Sequence, residues 1–159
     1  MKIVLDEGAK IPTRAHETDA GLDLYCREEV TIYPIGRKDV TGVFANGQYR
    51  LAYFDIPNSV SIDTGVHMEI PNGYFGKIES KSGLNVKNGI VSCGGVIDSG
   101  YTGSIVVKLY NFGTEPYIFQ AGDKVAQIII QPYIAPDLEV VDKLCDTDRG
   151  SGGFGSTGK

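Results

Sequence analysis

The chain has 159 residues, 42% apolar and 22% charged, with a formal net charge of −5. That length suits one domain with its own core. The acidic balance argues against a protein that grips nucleic acid through a basic field, and no run nears the roughly 18 apolar residues of a membrane span. Three cysteines, Cys26, Cys93 and Cys145, show no metal-ligand spacing. An odd count, with an N-terminal apolar run too short for a signal peptide, points to reduced thiols in a cytoplasm.

Short apolar runs broken by Gly, Pro, Asn and Asp predict strands at 2–5, 21–25, 30–33, 49–55, 59–63, 66–69 and 74–79. Further strands are predicted at 90–92, 96–97, 104–110, 117–119, 125–132 and 138–141. Turn pairs fall between them at Asn46-Gly47, Asn72-Gly73, Asn88-Gly89 and Gly122-Asp123. No long run keeps a helical period, and residues 82–87 have room for a turn or two of helix. This is an all-β pattern of the sandwich, jelly-roll or barrel kind, with at most one short helix. Between Val43-Phe44 and the run 49–54, Asn46-Gly47 predicts a β-hairpin arm within 36–58. Such an arm is either a surface embellishment or a contact with another subunit or a partner protein. Residues 1–148 form the β domain; the glycine-rich end, 149–159, has no period and reads as flexible. Its Gly153-Phe-Gly-Ser-Thr-Gly-Lys159 looks like the start of a P-loop, but a P-loop opens a helix and none is predicted here.

The stretch Gly95-Val-Ile-Asp-Ser-Gly-Tyr-Thr-Gly103 delivers one carboxylate, Asp98, and one ring, Tyr101, at a turn between two strands. A carboxylate so placed can hold and activate a water; by itself the stretch reads equally as an ordinary hairpin with a turn acid. Asp19 and Asp23 share one side of an extended segment. Asp19 precedes the strand and suits a turn, whereas Asp23 lies within it. Gln127 points away from its apolar neighbours Ala126 and Ile128, and a lone polar residue in an apolar strand has a fixed hydrogen-bond partner. Cys93, near the Asp98 turn, reads as a small buried thiol.

Five stretches, in order, resemble the signature motifs of the dUTP nucleotidohydrolases (dUTPases). They are Asp19-Ala-Gly-Leu-Asp-Leu-Tyr25, Ser80-Lys-Ser-Gly-Leu84, Gly95 to Gly103, Gly122-Asp-Lys-Val-Ala-Gln-Ile128 and Arg149-Gly-Ser-Gly-Gly-Phe-Gly-Ser-Thr-Gly158. The resemblance implies a jelly-roll-like distorted β-barrel and hydrolysis of dUTP to dUMP and pyrophosphate. It implies Mg²⁺ as cofactor, with Asp23 holding waters of the metal. Asp98 becomes the general base for the attacking water, with Gln127 near that water and the phosphates. Ser82 bonds the bridge between α- and β-phosphates, Gly83 allows close approach, and Lys81 faces phosphate. Most relatives carry Arg at that place, which grips phosphate with two parallel bonds where Lys cannot. Backbone around Gly94, Gly95 and Val96 reads uracil, and Tyr101 packs under the deoxyribose, leaving no room for a 2′-hydroxyl. Residues 149–159 become a lid, with Arg149 on phosphate, Phe154 stacked on the base, and Gly155, Ser156 and Thr157 as phosphate donors. The lid serves a neighbour's site, so a homotrimer with shared sites is implied.

The segment 36–58 is longer than the usual connection in this family. Two other readings remain. One is a dCTP deaminase relative: Gly100 suits it, but the strand position where deamination needs a Glu holds Lys108, and Gly83 stands where the deaminase usually has Ser. The other is a regulatory protein on the same scaffold, acting through the 36–58 arm.

Overall fold

The computed structural model describes residues 1–36, 38–45, 48–55 and 57–153, the two middle segments by their backbone alone. In chain order the strands are β1 (Ile3–Leu5), β2 (Leu22–Tyr25), β3 (Val30–Ile32), β4 (Lys38–Ala45), β5 (Gln48–Asp55), β6 (Ser59–Asp63), β7 (Val66–Met68) and β8 (Tyr74–Glu79). Among the described residues one helix, α1 (Ser82–Asn88), follows, then β9 (Ile90–Ser92), β10 (Val96–Ile97), β11 (Val106–Asn111), β12 (Tyr117–Phe119) and β13 (Lys124–Pro132). Every strand pairing is antiparallel. The strands form small sheets around one core, a jelly-roll-like arrangement in which none of the described sheets closes on itself.

Burial follows alternation. On β11 the pattern is outward Val106, buried Val107, half-buried Lys108, buried Leu109, the period of two that one inward face imposes. Leu24, Ile32, Ile105, Phe119, Val125 and Ile128 are sealed from solvent at the centre. Asn111 is sealed with them because its polar atoms are satisfied: its amide donates to the carbonyls of Ile32 and Glu115, and its Oδ1 accepts from Gly113 N–H.

Sheet order β10–β8–β13–β2 places the predicted site residues, since Asp23, Gln127 and the stretches before Asp98 and Ser80 all lie on or beside it. Helix α1 ends at Gly89, whose φ of 68° closes the last turn in the left-handed region that glycine adopts freely. The arm is as expected: β4 and β5 pair from Lys38↔Asp55 to Ala45↔Gln48, which leaves a two-residue connection. The Asn46-Gly47 pair itself lies outside the described residues. Among the described residues no other strand pairs with this hairpin, and no helix is long and apolar enough to cross a membrane.

One predicted strand is missing. Residues 138–141 run without regular structure, and Ile134, Leu138, Val140 and Leu144 are 80–99% exposed. All four are even-numbered, so an extended chain presents them on one side. A strand needs a hydrogen-bonding neighbour, and the described residues of one copy provide none at this place.

Candidate active site

The predicted residues fall into two groups. In the first, Asp23 sits at the middle of β2, opposite Gln127 of β13, which is itself opposite Glu79 of β8. Asp23 is 2% exposed. Its Oδ1 accepts from the Lys81 ammonium at 2.5 Å, and the Lys124 ammonium stands 2.6 Å from Oδ2 without the alignment of a hydrogen bond. Burial pushes the carboxyl upward in pKa. The two ammonium groups, Lys124 first and then Lys81, outweigh it, so the net shift is below the usual carboxylate range. The same pairing raises Lys124.

Lys124 enters this cluster through a bulge. The β13–β2 register shifts between Lys124 and Ala126, so Val125 and Ala126 are both buried and Lys124 and Gln127 both turn outward. Regular alternation would have sent residues 124 and 127 to opposite faces; an extra residue in a strand re-aims side chains in this way. The sequence reading did not select Lys124, because nothing in the residue pattern marks a bulge. It also passed over Gly21 and Ser80. A β-carbon on Gly21 would stand 2.9 Å from Cδ of Gln127, so only glycine leaves space for that side chain. Gln127 Nε2 then donates to the Ser80 carbonyl at 3.1 Å. The Ser80 hydroxyl accepts from Ser92 N–H, so the start of the Ser80-Lys81-Ser82 segment is held from both sides.

Lys81 is the residue before α1, and no side chain caps the helix start. Its first N–H groups therefore have no intrahelical partner and suit an anion. A β-carbon on Gly83 would meet nothing within 4 Å. Packing within the chain thus does not require glycine there, whereas close approach by a ligand would.

The second group follows β10. Gly94 and Gly95 have φ of 77° and 122°, and a β-carbon on Gly95 would press into the Ile78 side chain. Glycine is required at Gly95 so that the strand can lie against β8. The Gly95 carbonyl accepts from Ile78 N–H at 2.8 Å, which ties this turn to β8. Beyond β10, Tyr101 N–H donates to the Asp98 carbonyl at 3.0 Å, and the Tyr101 hydroxyl donates to the Ser104 carbonyl at 3.0 Å. The ring lies over Gly103, where a β-carbon would stand 2.6 Å from Cζ. Val96, Ile97, Asp98, Tyr101, Ser104 and Val106 line a cavity of ≈ 170 Å³, with Asp98 exposed at its edge. Wider hollows of ≈ 390, ≈ 420 and ≈ 430 Å³ lie elsewhere and hold none of the predicted site residues. Cys93 is exposed, not the buried thiol expected, because it falls past the end of β9, between that strand and the Gly94-Gly95 turn.

One chain does not bring the two groups together. Ile97 is level with Gly76 and Ile130, whereas Asp23 and Gln127 are level with Glu79. Three steps along the strands is about 10 Å, and two strand spacings to Gln127 or three to Asp23 add about 9–15 Å across. Side chains stand roughly perpendicular to a sheet and do not close such a gap. Asp98 continues past Ile97 in one direction, and Ser82 continues past Glu79 in the other. Arg149 is exposed, its Nε donating to the Gly152 carbonyl at 3.0 Å. Phe154, Gly155, Ser156 and Thr157 lie outside the described residues.

Fold and site define a jelly-roll-like β protein with a cationic, amide-rich corner suited to polyphosphate and a small cleft beside a carboxylate. The chain belongs to the dUTPase family, a family of enzymes, whose model matches residues 48–158. A deoxyuridine 5′-triphosphate nucleotidohydrolase of Paramecium bursaria Chlorella virus 1 is 38% identical over 154 residues, covering 97% of this chain and 94% of that one. Among solved structures, the Staphylococcus bacteriophage 80alpha dUTPase with dUPNHPP superposes with a TM-score of 0.78 at 27% identity, covering 99% of this chain and 98% of that one. It is one of the phage dUTPases described as controlling transfer of virulence genes. A variant dUTPase of phage phi11 of S. aureus, described for its coordination of a structural Mg(II) ion, has a TM-score of 0.70 at 27% identity and covers 89% of this chain and 96% of that one.

Proposed function

We propose that this protein hydrolyses dUTP to dUMP and pyrophosphate in a homotrimer whose sites are built from more than one chain. Such a reaction limits uracil incorporation into DNA and supplies dUMP for thymidylate synthesis. The observation that carries the reading is the corner where Lys81 and Lys124 share the buried Asp23 beside the uncapped start of α1. In an acidic chain, two convergent ammonium groups and free amides are a local provision for a polyphosphate.

In this scheme Asp98 takes a proton from the attacking water. The water oxygen bonds to the α-phosphorus, the bond to the α,β-bridging oxygen breaks, and its electron pair leaves with pyrophosphate. Ser82 donates to that bridging oxygen, Lys81 and Lys124 neutralise the phosphates, and Gln127 fixes the segment that carries Ser82. Val96 and the backbone of Gly94 and Gly95 receive the base, and Tyr101 sets the sugar. Catalysis of this kind is chiefly positioning and charge neutralisation. Asp98 and Ser82 must act within one phosphate of each other, and the separation in one chain supports a site completed by a second copy. The exposed apolar side of residues 134–144 supports the same assembly. Arg149, Phe154, Gly155, Ser156 and Thr157 belong to the lid in this reading.

Mg²⁺ fits the corner in an outer role. Asp23 brings one carboxylate to the corner, its two oxygens facing Lys81 and Lys124, and the described residues hold no cluster of three or more ligating side chains. That donor set suits an ion bound mainly by phosphate oxygens and water, with one carboxylate behind it. When bound, the ion would neutralise charge building on the phosphates. A cytoplasmic location belongs to the same proposal, supported by three free cysteines.

Product analysis with Mg²⁺ and each of dUTP, dCTP, dTTP and UTP tests the reading. Pyrophosphate and dUMP from dUTP alone support it; ammonia from dCTP would replace it with deamination. The deaminase reading has little support, since the Lys108 ammonium lies 5.8 Å from the Tyr110 ring centroid where an acid would be needed. A regulatory role added to catalysis is favoured by the β4–β5 hairpin, with which no other strand pairs among the described residues, and by the description of the phage relatives. Loss of a partner from an arm-deleted, still active variant would identify it.

A further inference from the structure

We infer that His67, in its doubly protonated form, is a positioning residue for the turn that carries Asp98 and Tyr101. His67 is the middle residue of β7, opposite Val4 of β1, and faces away from the core between buried Val66 and Met68. Its Nδ1 is 2.8 Å from the Thr102 carbonyl, and its Nε2 is 3.2 Å from Oδ1 of Asp6. A carbonyl oxygen only accepts, and so does an ionised carboxylate. Both ring nitrogens must therefore carry hydrogen, which a neutral imidazole cannot provide. Whichever nitrogen loses its proton then turns a lone pair against an oxygen, and one arm of the clamp is lost.

The clamped carbonyl belongs to the residue after Tyr101. The other shoulder of the turn is held by Asp63, which accepts from the Ser104 hydroxyl and from Gly65 N–H. Asp63 also pairs with Arg27 at 2.8 Å, and Arg27 reaches Asp6 at 3.7 Å. The charged groups facing the imidazole are thus Asp6 from the end of β1 and Asp63 from β6, with Arg27 bridging the two. Lys2 and Glu69 line the same hollow but pair with each other at 3.0 Å, and the turn itself presents neutral Thr102. The bond to the Thr102 carbonyl, and then the Asp6 and Asp63 carboxylates, shift the imidazole upward from its ordinary value. The sign follows: the clamp is complete below that raised value and is lost as pH rises through it.

This inference rests on the proposed reaction for its kinetic consequence, but the clamp itself is testable without nucleotide. In the full-length protein, ring and amide resonances are followed from pH 5 to 9, with His67 told from His16 by the His67→Gln variant. The His67 ring titrates above the ordinary imidazole value, and the amides of Tyr101, Thr102 and Gly103 move with the same midpoint. With dUTP, KM rises roughly two- to tenfold through that midpoint, the factor one hydrogen bond is worth, and kcat changes less. Asp6→Asn supplies the control: an asparagine amide can donate to Nε2 of a neutral ring whose Nδ1–H still reaches Thr102. That variant keeps the low KM and loses its pH dependence, whereas His67→Ala has the high KM throughout. Amides of the turn that stay still while the His67 ring titrates would overturn the inference. So would a His67 midpoint no higher than that of an ordinary imidazole, roughly 6.5, or an Asp6→Asn protein with the wild-type pH dependence. A protein that turns over no dUTP but passes the resonance test would refute the proposed reaction and leave the clamp standing.

Discussion

Replacing Asp23 by alanine removes the one carboxylate that two lysines share. Breaking a buried ion pair by deleting one partner typically costs about 3–5 kcal/mol. Here the full figure does not apply, because the Lys81 and Lys124 side chains are 27% and 46% exposed and can turn into water, where surface pairs are worth little. A loss of about 2 kcal/mol is expected, the desolvated Asp23 side having gone and the ammonium groups having found solvent. For a chain of this length that lowers the melting midpoint by about 4–8 °C. The pH dependence fixes the cause. Asp23 is depressed in the folded state relative to roughly 3.9 in an unfolded chain, so its contribution is present above that value and is lost as pH falls through the folded one. Calorimetry of wild-type and Asp23→Ala proteins at pH 7 and at pH 3, at one protein concentration because assembly shifts midpoints, should show the gap narrowing in acid. An equal gap at both pH values would refute the ion-pair account and leave cavity formation as the cause.

Gly21→Ala should force Gln127 off the Ser80 carbonyl, lowering stability by about 1 kcal/mol and kcat by roughly tenfold through misplacement; unchanged steady-state kinetics would show that this contact does not position the site. Asp98→Asn should cut turnover by about 10²- to 10⁴-fold while calorimetric dUTP affinity stays near that of the wild type. Mixing denatured Asp98→Asn and Ser82→Ala chains and refolding them together should restore about a quarter of the activity if each site draws those two residues from different copies of a closed oligomer. Activity that stays at the level of the separate variants would place both residues of a working site in one chain.

Where local pattern decides structure, the sequence was readable. Short apolar runs between turn residues marked β6, β8 and β11, and the Asn46-Gly47 pair marked the hairpin whose strands pair as a two-residue turn requires. The polar residue in an apolar strand, Gln127, did have a fixed partner, the Ser80 carbonyl. What escaped was non-local. Lys124 joins Asp23 only because β13 carries an extra residue, and a bulge has no residue signature in that strand. Gly21 reads as one more loop glycine until the Gln127 side chain is seen to occupy the place of its β-carbon. His67 gives no signal at all, since its two acceptors lie 61 residues before it and 35 after it.

The strand expected at 138–141 failed for a related reason. Alternating apolar residues state that a segment wants one covered face; they do not state which chain covers it. In one copy Leu138 and Val140 remain 92% and 99% exposed, an arrangement that isolated apolar surface does not favour. The five motifs have the same ambiguity. Their order along the sequence implies a site, but β8 carries the Ser82 segment off one end of the sheet while β10, running antiparallel beside it, carries Asp98 off the other. Antiparallel pairing therefore sends Ser82 and Asp98, the groups proposed to bind phosphate and activate water, apart within a chain. In the proposed assembly the same topology would make them available to neighbouring copies, and the exposed segment after β13 and the divided site would then be two expressions of one requirement.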